Sequence, residues 1–556
     1  MSKAEIVRVD AARRGLTERE NHIVDELNNG GINRREFMKY ASIAGMSIPM
    51  IGLFAGGEAA AATKKTGTAK RKPLLRISTI APGSKIEPLV INNGGALLHL
   101  GLAGEYLAHS NAQGVLEPRV AQSWSANADS TVWTFKIRKG IKFHNGKTLT
   151  AADIVATFDL HSDPANKGNA LSVFKGNLQK GNTTKVDDYT VQFKLDQPVG
   201  AWPYLVSSTN YNCIILPAGY KSDFESNFLS CGPWIMEKYV VDQGVTYKRN
   251  PNYWDRTRQP NFEKLQVLQF KDDGARLAAL QSGQVDWDAF SSSTTAKTLQ
   301  NDPNFTLTKS ASNGHLQLHL SAARGPFAAD KRLRQALLLT LDRPGIVAGV
   351  IDGFGIPGND SPMTPNMPTT DKAIAQRKKD IAKAKELMAA AGKASGFDVT
   401  LSTWGRADIK LLAQVVQQSA KEIGINVKID IADEDGSAYY DDKRDPSWLK
   451  SDMGITEYGH RDVANVYLNA AVKTAGVWNA AQYSNKELDA QITSYVGSAD
   501  LQVQKAASKK IQELMLEDSP IGFTYFGSAL DVARKGLTGH YTNGMNVIES
   551  AKAKLA

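Results

Sequence analysis

Cysteine is nearly missing from this chain: Cys213 and Cys231 are the only two in 556 residues. Two thiols cannot by themselves build an iron–sulfur cluster or a cysteine-rich zinc site. Long apolar runs are missing as well. The one candidate, Tyr40 to Ala55, is shorter than the roughly 20 residues a membrane-spanning helix needs, and Ser42, Ser47 and glycines dilute it. No Lys/Arg run is interleaved with aromatic residues, so the net charge of +9 reads as a solvated basic surface and not as a nucleic-acid groove. The chain has no Gly-x-Ser-x-Gly elbow, His-Glu-x-x-His pair, dinucleotide glycine fingerprint or Cys-x-x-Cys. These absences favour binding over catalysis, and neither a metal nor an organic cofactor is expected.

Two near-motifs fail on spacing or context. Gly140-Ile141-Lys142-Phe143-His144-Asn145-Gly146-Lys147-Thr148 resembles a phosphate loop, but its glycines are one residue too far apart and it ends at an Asn-Gly turn. His315 and His319 have the spacing of a helical metal pair. Their surroundings alternate polar and apolar as in a strand, where four residues span about 13 Å. Both are expected on a polar strand face.

What is present begins with an address. Asn33-Arg34-Arg35-Glu36-Phe37-Met38-Lys39 precedes the mildly apolar run and then Ala59-Ala60-Ala61-Ala62. Paired arginines, a short apolar core and a small-residue cleavage site make an export leader, and Arg34, Arg35, Phe37 and Lys39 resemble the twin-arginine type. Cleavage is expected after Ala61 or Ala62, and residues 63–73 read as a flexible basic linker. Gly45, Pro49 and Gly52 argue against one long buried helix here. The leader holds as many acidic as basic residues, so its removal leaves the charge unchanged. In an oxidising compartment Cys213 and Cys231 are either joined or remain two buried thiols.

Beyond the linker, 42% hydrophobic and 22% charged residues describe a folded body of more than one packed region. Leu74–Ile80 is the first strand expected. Trp133, Phe135 and Ile137 alternate as a second, followed by Ile141 and Phe143. Thr150-Ala151-Ala152-Asp153 is a capping box that starts a helix with Ile154, Val155 and Phe158 on its apolar face. Asp330 starts another helix, and Gly392 closes the one running from Ile381 to Ala391. Strands at Asp398–Thr403 and Ile425–Ile431 around a helical stretch predict an α/β region with partly parallel strands.

Ordered blocks then resemble the family 5 extracellular solute-binding proteins, which include the oligopeptide, dipeptide and nickel receptors of bacterial ABC importers. The blocks are Val120–Trp124 through Phe143–Gly146 to Thr150–Val155, Gly232-Pro233-Trp234 with Arg249–Trp254, Arg276–Asp286, Pro326–Ala328 with Arg332–Leu337 and Leu341–Arg343, and Tyr483–Asp489. The resemblance implies a two-lobed periplasmic binding protein fold (type II, cluster C) of α/β class with an extra subdomain in the first lobe. Behind the twin-arginine signal peptide read at 1–62, it places lobe I at 74–315 with a subdomain of about 116–240, lobe II at 316–528 and a C-terminal return to lobe I at 529–556. It further implies a monomer in the periplasm, in keeping with the missing nucleic-acid groove. Between its lobes it holds a small-molecule solute, a peptide or peptide-like carboxylate compound, for ABC importer permease subunits. An exported enzyme, or a non-transport binding or chaperone protein on the same fold, is the competing reading.

In peptide-binding members a carboxylate shortly before the segment matching Val466-Tyr467-Leu468-Asn469 pairs with the ligand α-ammonium. This chain departs there, with Tyr458-Gly459-His460-Arg461-Asp462 and with Glu457 adjacent. Arginine suits a carboxylate, which it can grip with two parallel hydrogen bonds. Tyr211, Trp404, Tyr458 and Trp478 are the candidate walls, which makes Tyr211, Trp404, Tyr458, Gly459, His460, Arg461, Asp462 and Trp478 the expected ligand set.

Overall fold

The computed structural model describes residues 12–55, 72–82, 86–91, 94–227, 229–241, 243–434, 436–441 and 443–556. Ala61 and linker residues 63–71 lie outside them. The chain divides into two compact units. Unit 1 takes 1–311, 497–501 and 529–556; unit 2 takes 312–496 and 502–528.

In unit 1, strand Lys72–Ile80 runs parallel to Phe262–Phe270 on one side and to Trp287–Ala289 on the other. Strands Gly244–Arg249 and Trp234–Val240 continue the first side antiparallel. The first strand therefore takes in Lys72 and Pro73, which the sequence assigns to the linker. Proline is tolerated at the start of a strand, where its missing N–H matters least. The core over this sheet contains Leu75, Ile77, Leu98, Trp234, Tyr247, Val267 and Trp287, all buried.

A separate four-stranded antiparallel sheet in unit 1 has the order Ala121–Ala126, Val132–Ile137, Thr190–Lys194, Thr183–Asp187. Trp133, Phe135 and Ile137 all face inward, as the alternation predicts. Helix Ala151–Ser162 closes over it, with the Phe158 ring 4.9 Å from that of Phe193. Its capping box is present, the Thr150 N–H donating to Asp153 Oδ2 at 2.9 Å. Ile141 and Phe143, expected to form a strand, do not. A single bridge joins Lys142 to Thr148 around the turn at Gly146, because too few residues flank the turn to extend a ladder.

Residues 12–55 also fold onto unit 1. Helix Arg34–Ile43 opens on a full capping box, Asn33 Oδ1 accepting from Arg35 and Glu36 N–H at 3.0 Å while Glu36 Oε2 accepts from Asn33 N–H at 2.9 Å. Gly45, at φ +87°, ends this run, and Ile48–Phe54 resumes with Pro49 in its first turn, where no helical hydrogen bond is lost. Glycine and proline thus divide the expected apolar run into two helices.

Unit 2 carries strands in the order Ile425–Ile431, Phe397–Thr403, Met453–Tyr458, then 312–320 and 521–528. The first three are parallel, and Met453–Tyr458 is antiparallel to its next neighbour. Helix Ala407–Lys421 makes the crossover, burying Ile409, Leu412, Ala413 and Val416 against the sheet. Asp330 and Asp380 cap the helices Lys331–Leu339 and Ile381–Ala390. No described helix is long and apolar enough to cross a membrane.

Candidate functional site

Phe397–Thr403, Ile425–Ile431 and Met453–Tyr458 run in one direction, so their carboxyl ends lie at a common edge of unit 2. In α/β sheets that edge is where chain leaves the ladder and side chains converge on a ligand. Trp404 follows the first of these strands and Gly459 the last. The expected ligand residues Trp404, Tyr458, Gly459, His460, Arg461, Asp462 and Trp478 all belong to unit 2, whereas Tyr211 belongs to unit 1 and packs against that unit's core.

His460 is buried and its ring is used internally. Nδ1 accepts from Asn313 N–H at 2.7 Å, which makes Nε2 the protonated nitrogen, and Nε2 donates to Asp462 Oδ1 at 3.1 Å. Asn313 also donates through Nδ2 to Arg461 O at 2.8 Å and accepts from Thr364 Oγ1 at 2.7 Å. Tyr467 OH, lying between, donates to Gly459 O at 2.6 Å. The turn 459–462 is therefore held from behind by Asn313, Thr364 and Tyr467. Arg461 is half-buried, with Nη1 donating to His460 O at 2.8 Å. Gly459 is exposed, and a side chain there would meet only Arg461 Nη1, 3.8 Å away. His460 and Asp462 thus brace the turn from within.

Three of the four expected wall residues lie in unit 2. Tyr458 meets Trp478 edge-on at 6.0 Å and donates its hydroxyl to Trp478 O at 3.1 Å. Trp404 and Trp478 both flank the buried group Tyr439, Trp448 and Ala480. Behind Tyr458, the His315 ring stacks at 5.6 Å and is enclosed by Tyr467, Phe523 and Phe526. Burial lowers the His315 pKa to about 4, so the ring is neutral. Its Nδ1–H donates to Asn313 O at 2.8 Å.

Arg406, absent from the sequence-derived set, is held at this edge by one aromatic ring and two carboxylates. It lies over the Trp404 ring at 5.2 Å, reaches Asp408 Oδ1 at 2.6 Å through Nε, and reaches Glu457 Oε1 at 2.5 Å through Nη1. Burial acts to lower its pKa, but Glu457 and Asp408 outweigh burial and hold it above the ordinary arginine value. Glu457 itself is exposed. A Trp-x-Arg-x-Asp pattern directly after a strand was the available signal for Arg406. Asn313 gave none, since its partner His460 is 147 residues away.

The other expectations divide. His315 and His319 do lie on a strand, Phe305–Leu320, and share a polar face with Gln317, whose Nε2 donates to His315 Nε2 at 3.1 Å, but that face is buried because this part of the strand is covered on both sides. Burial takes His319 to about 3. Among the described residues no group of three His, Cys, Asp or Glu side chains is arranged to hold a metal. Cys213 and Cys231 are two buried free thiols, not a bridge, with pKa values pushed well up by burial. Unit 1 has a surface groove of about 430 Å³ between Lys142–Gly146 and Lys248–Asn252, where Glu237 and Glu263 offset Lys248 and Arg249. None of the expected ligand residues lines it.

Residues 115–475 match the family model described as bacterial extracellular solute-binding proteins, family 5, middle. The chain belongs to that family. Its function is accordingly to hold a solute, and members of family 5 are binding proteins, not enzymes. The chain is 25% identical over 436 residues to the heme-binding protein A of Haemophilus influenzae, covering 73% of this chain and 78% of that one. It is 26% identical over 437 residues to the glutathione-binding protein GsiB of Escherichia coli K12, covering 76% and 83%. Among solved structures, the periplasmic binding protein DppA of Helicobacter pylori, in complex with the peptide STSA, superposes with a TM-score of 0.72 at 21% identity over 87% of this chain and 98% of that one. The family 5 fold is thus the two-lobed α/β fold of periplasmic binding proteins.

Proposed function

We propose that this family 5 protein is exported by the twin-arginine route and, as a periplasmic monomer, captures a short peptide or a peptide-like compound bearing a carboxylate, which it delivers to ABC importer permease subunits. Arg461 is the observation that carries the ligand class. It occupies the turn where peptide-binding members have an ammonium-binding carboxylate, and its backbone is anchored through Asn313 and its neighbour His460. A guanidinium is a planar fork of N–H donors that can grip a carboxylate with two parallel hydrogen bonds. Glu457, exposed at the end of strand Met453–Tyr458 and paired with Arg406, supplies an acceptor for an ammonium group. Trp404, Tyr458 and Trp478 supply apolar contact for the body of the ligand. The names of GsiB and DppA, with glutathione and a peptide, support the same class.

Calorimetric titration of the full chain with dipeptides, tripeptides and glutathione tests this reading, with mass spectrometry of the recovered solute to show that it is unaltered. Arg461→Ala is expected to weaken binding by about 1.5–3 kcal/mol, the range for a hydrogen bond to a charged group. Unchanged affinity would remove Arg461 from the site.

A further inference from the structure

The leader does not hang from the body as an appendage. Its helices share one buried cluster: Ile23 and Val24 of Glu18–Asn28, Phe37, Tyr40 and Ala41 of Arg34–Ile43, and Ile51 of Ile48–Phe54, closed by Leu501 of the 497–501 segment. The body adds specific bonds. The Trp124 indole N–H donates to Ser42 O at 3.1 Å, the Leu116 N–H donates to Ser42 Oγ at 3.3 Å, and Arg19 Nη2 donates to Ser130 Oγ at 3.3 Å. Gly45 lies so close to Trp124 that a Cβ there would stand 2.2 Å from the Trp124 carbonyl oxygen. The receiving surface combines the strand Ala121–Ala126, Leu116, Ser130 and Leu501, which are far apart in sequence and meet only once unit 1 has folded.

Docking divides the export motif. Arg34 stays exposed, while Phe37 is fully buried and Lys39 is 6% exposed. We infer that the folded body masks its own export signal: the leader is readable along its whole motif only in the fraction of molecules whose helices have detached. A receptor's apparent affinity then falls in proportion to that fraction. This rests on the twin-arginine reading above. The docking itself does not.

Trypsin cleavage after Lys39 in the full-length chain tests the docking. It should be at least about tenfold slower than in Gly45→Ala, whose new Cβ collides with Trp124 at a positive φ, or in Leu501→Ala, which leaves the leader sequence native. Equal rates in wild type and both variants would overturn it. Export rate in cells then tests the masking: both variants should leave the cytoplasm faster than wild type. Unchanged export with faster cleavage after Lys39 would overturn the masking and leave the docking standing. Replacing Arg34 and Arg35 by Lys should abolish export, and continued export would overturn the twin-arginine reading and the masking with it.

Discussion

His99, His161, His315, His319 and His540 are held neutral by burial, their pKa values lowered to about 3–4. An unfolded histidine takes its proton near pH 6.5, so between about pH 6.5 and 4 the unfolded chain binds protons that the native state refuses. Native stability therefore rises with pH across that window and is lost on acidification, by a few kcal/mol per group at most. Asp531 works the other way. It accepts from Thr542 N–H but is buried, and burial raises it to about 6, so below about pH 6 it is protonated in the native state while the unfolded chain stays ionised down to about pH 4. The melting temperature should fall from pH 7 to pH 4.5, and Asp531→Asn should make the fall between pH 6 and 4 steeper. A flat profile would contradict this account of the interior. The cysteines add a second check at this scale: a thiol reagent should find no reactive group in the native chain and two after denaturation.

Among the elements, the order of strands and helices was legible wherever periodicity or a cap marked it. Thr150, Asp330 and Gly392 each stand where the sequence put a helix end, and Ile425–Ile431 has the expected bounds. Met453–Tyr458 was not legible. Both of its faces are covered, so its buried residues run consecutively and the period-two signal vanishes. The same covering hides the histidines of Phe305–Leu320. A close approach between two loops was also invisible: Gly396, at φ +81°, brings its Cα so near Gly424 that a Cβ would stand 1.8 Å from the Gly424 carbonyl oxygen. Gly396→Ala should therefore cost about 2 kcal/mol or more, read as a lower denaturation midpoint. Asp380→Ala, which removes only an N-cap, should cost about 1 kcal/mol.

For the whole molecule, the family was legible because its marker blocks are contiguous, whereas the proposed site was legible only in part because it would assemble from residues far apart. Trp404 and the 458–462 turn could be found from local sequence. Asn313 and Arg406, which fix that turn and cover Trp404, could not be ranked without the fold. The central claim is solute capture at the carboxyl edge of the unit 2 strands, and thermal denaturation of the full chain against a panel of short peptides and glutathione tests it most directly. A true ligand at a hundred times its dissociation constant should stabilise the native state by about 2.7 kcal/mol. That gain should shrink in Arg461→Ala while the melting temperature without ligand stays the same. No shift with any member of the panel, or an equal shift in Arg461→Ala, would contradict it.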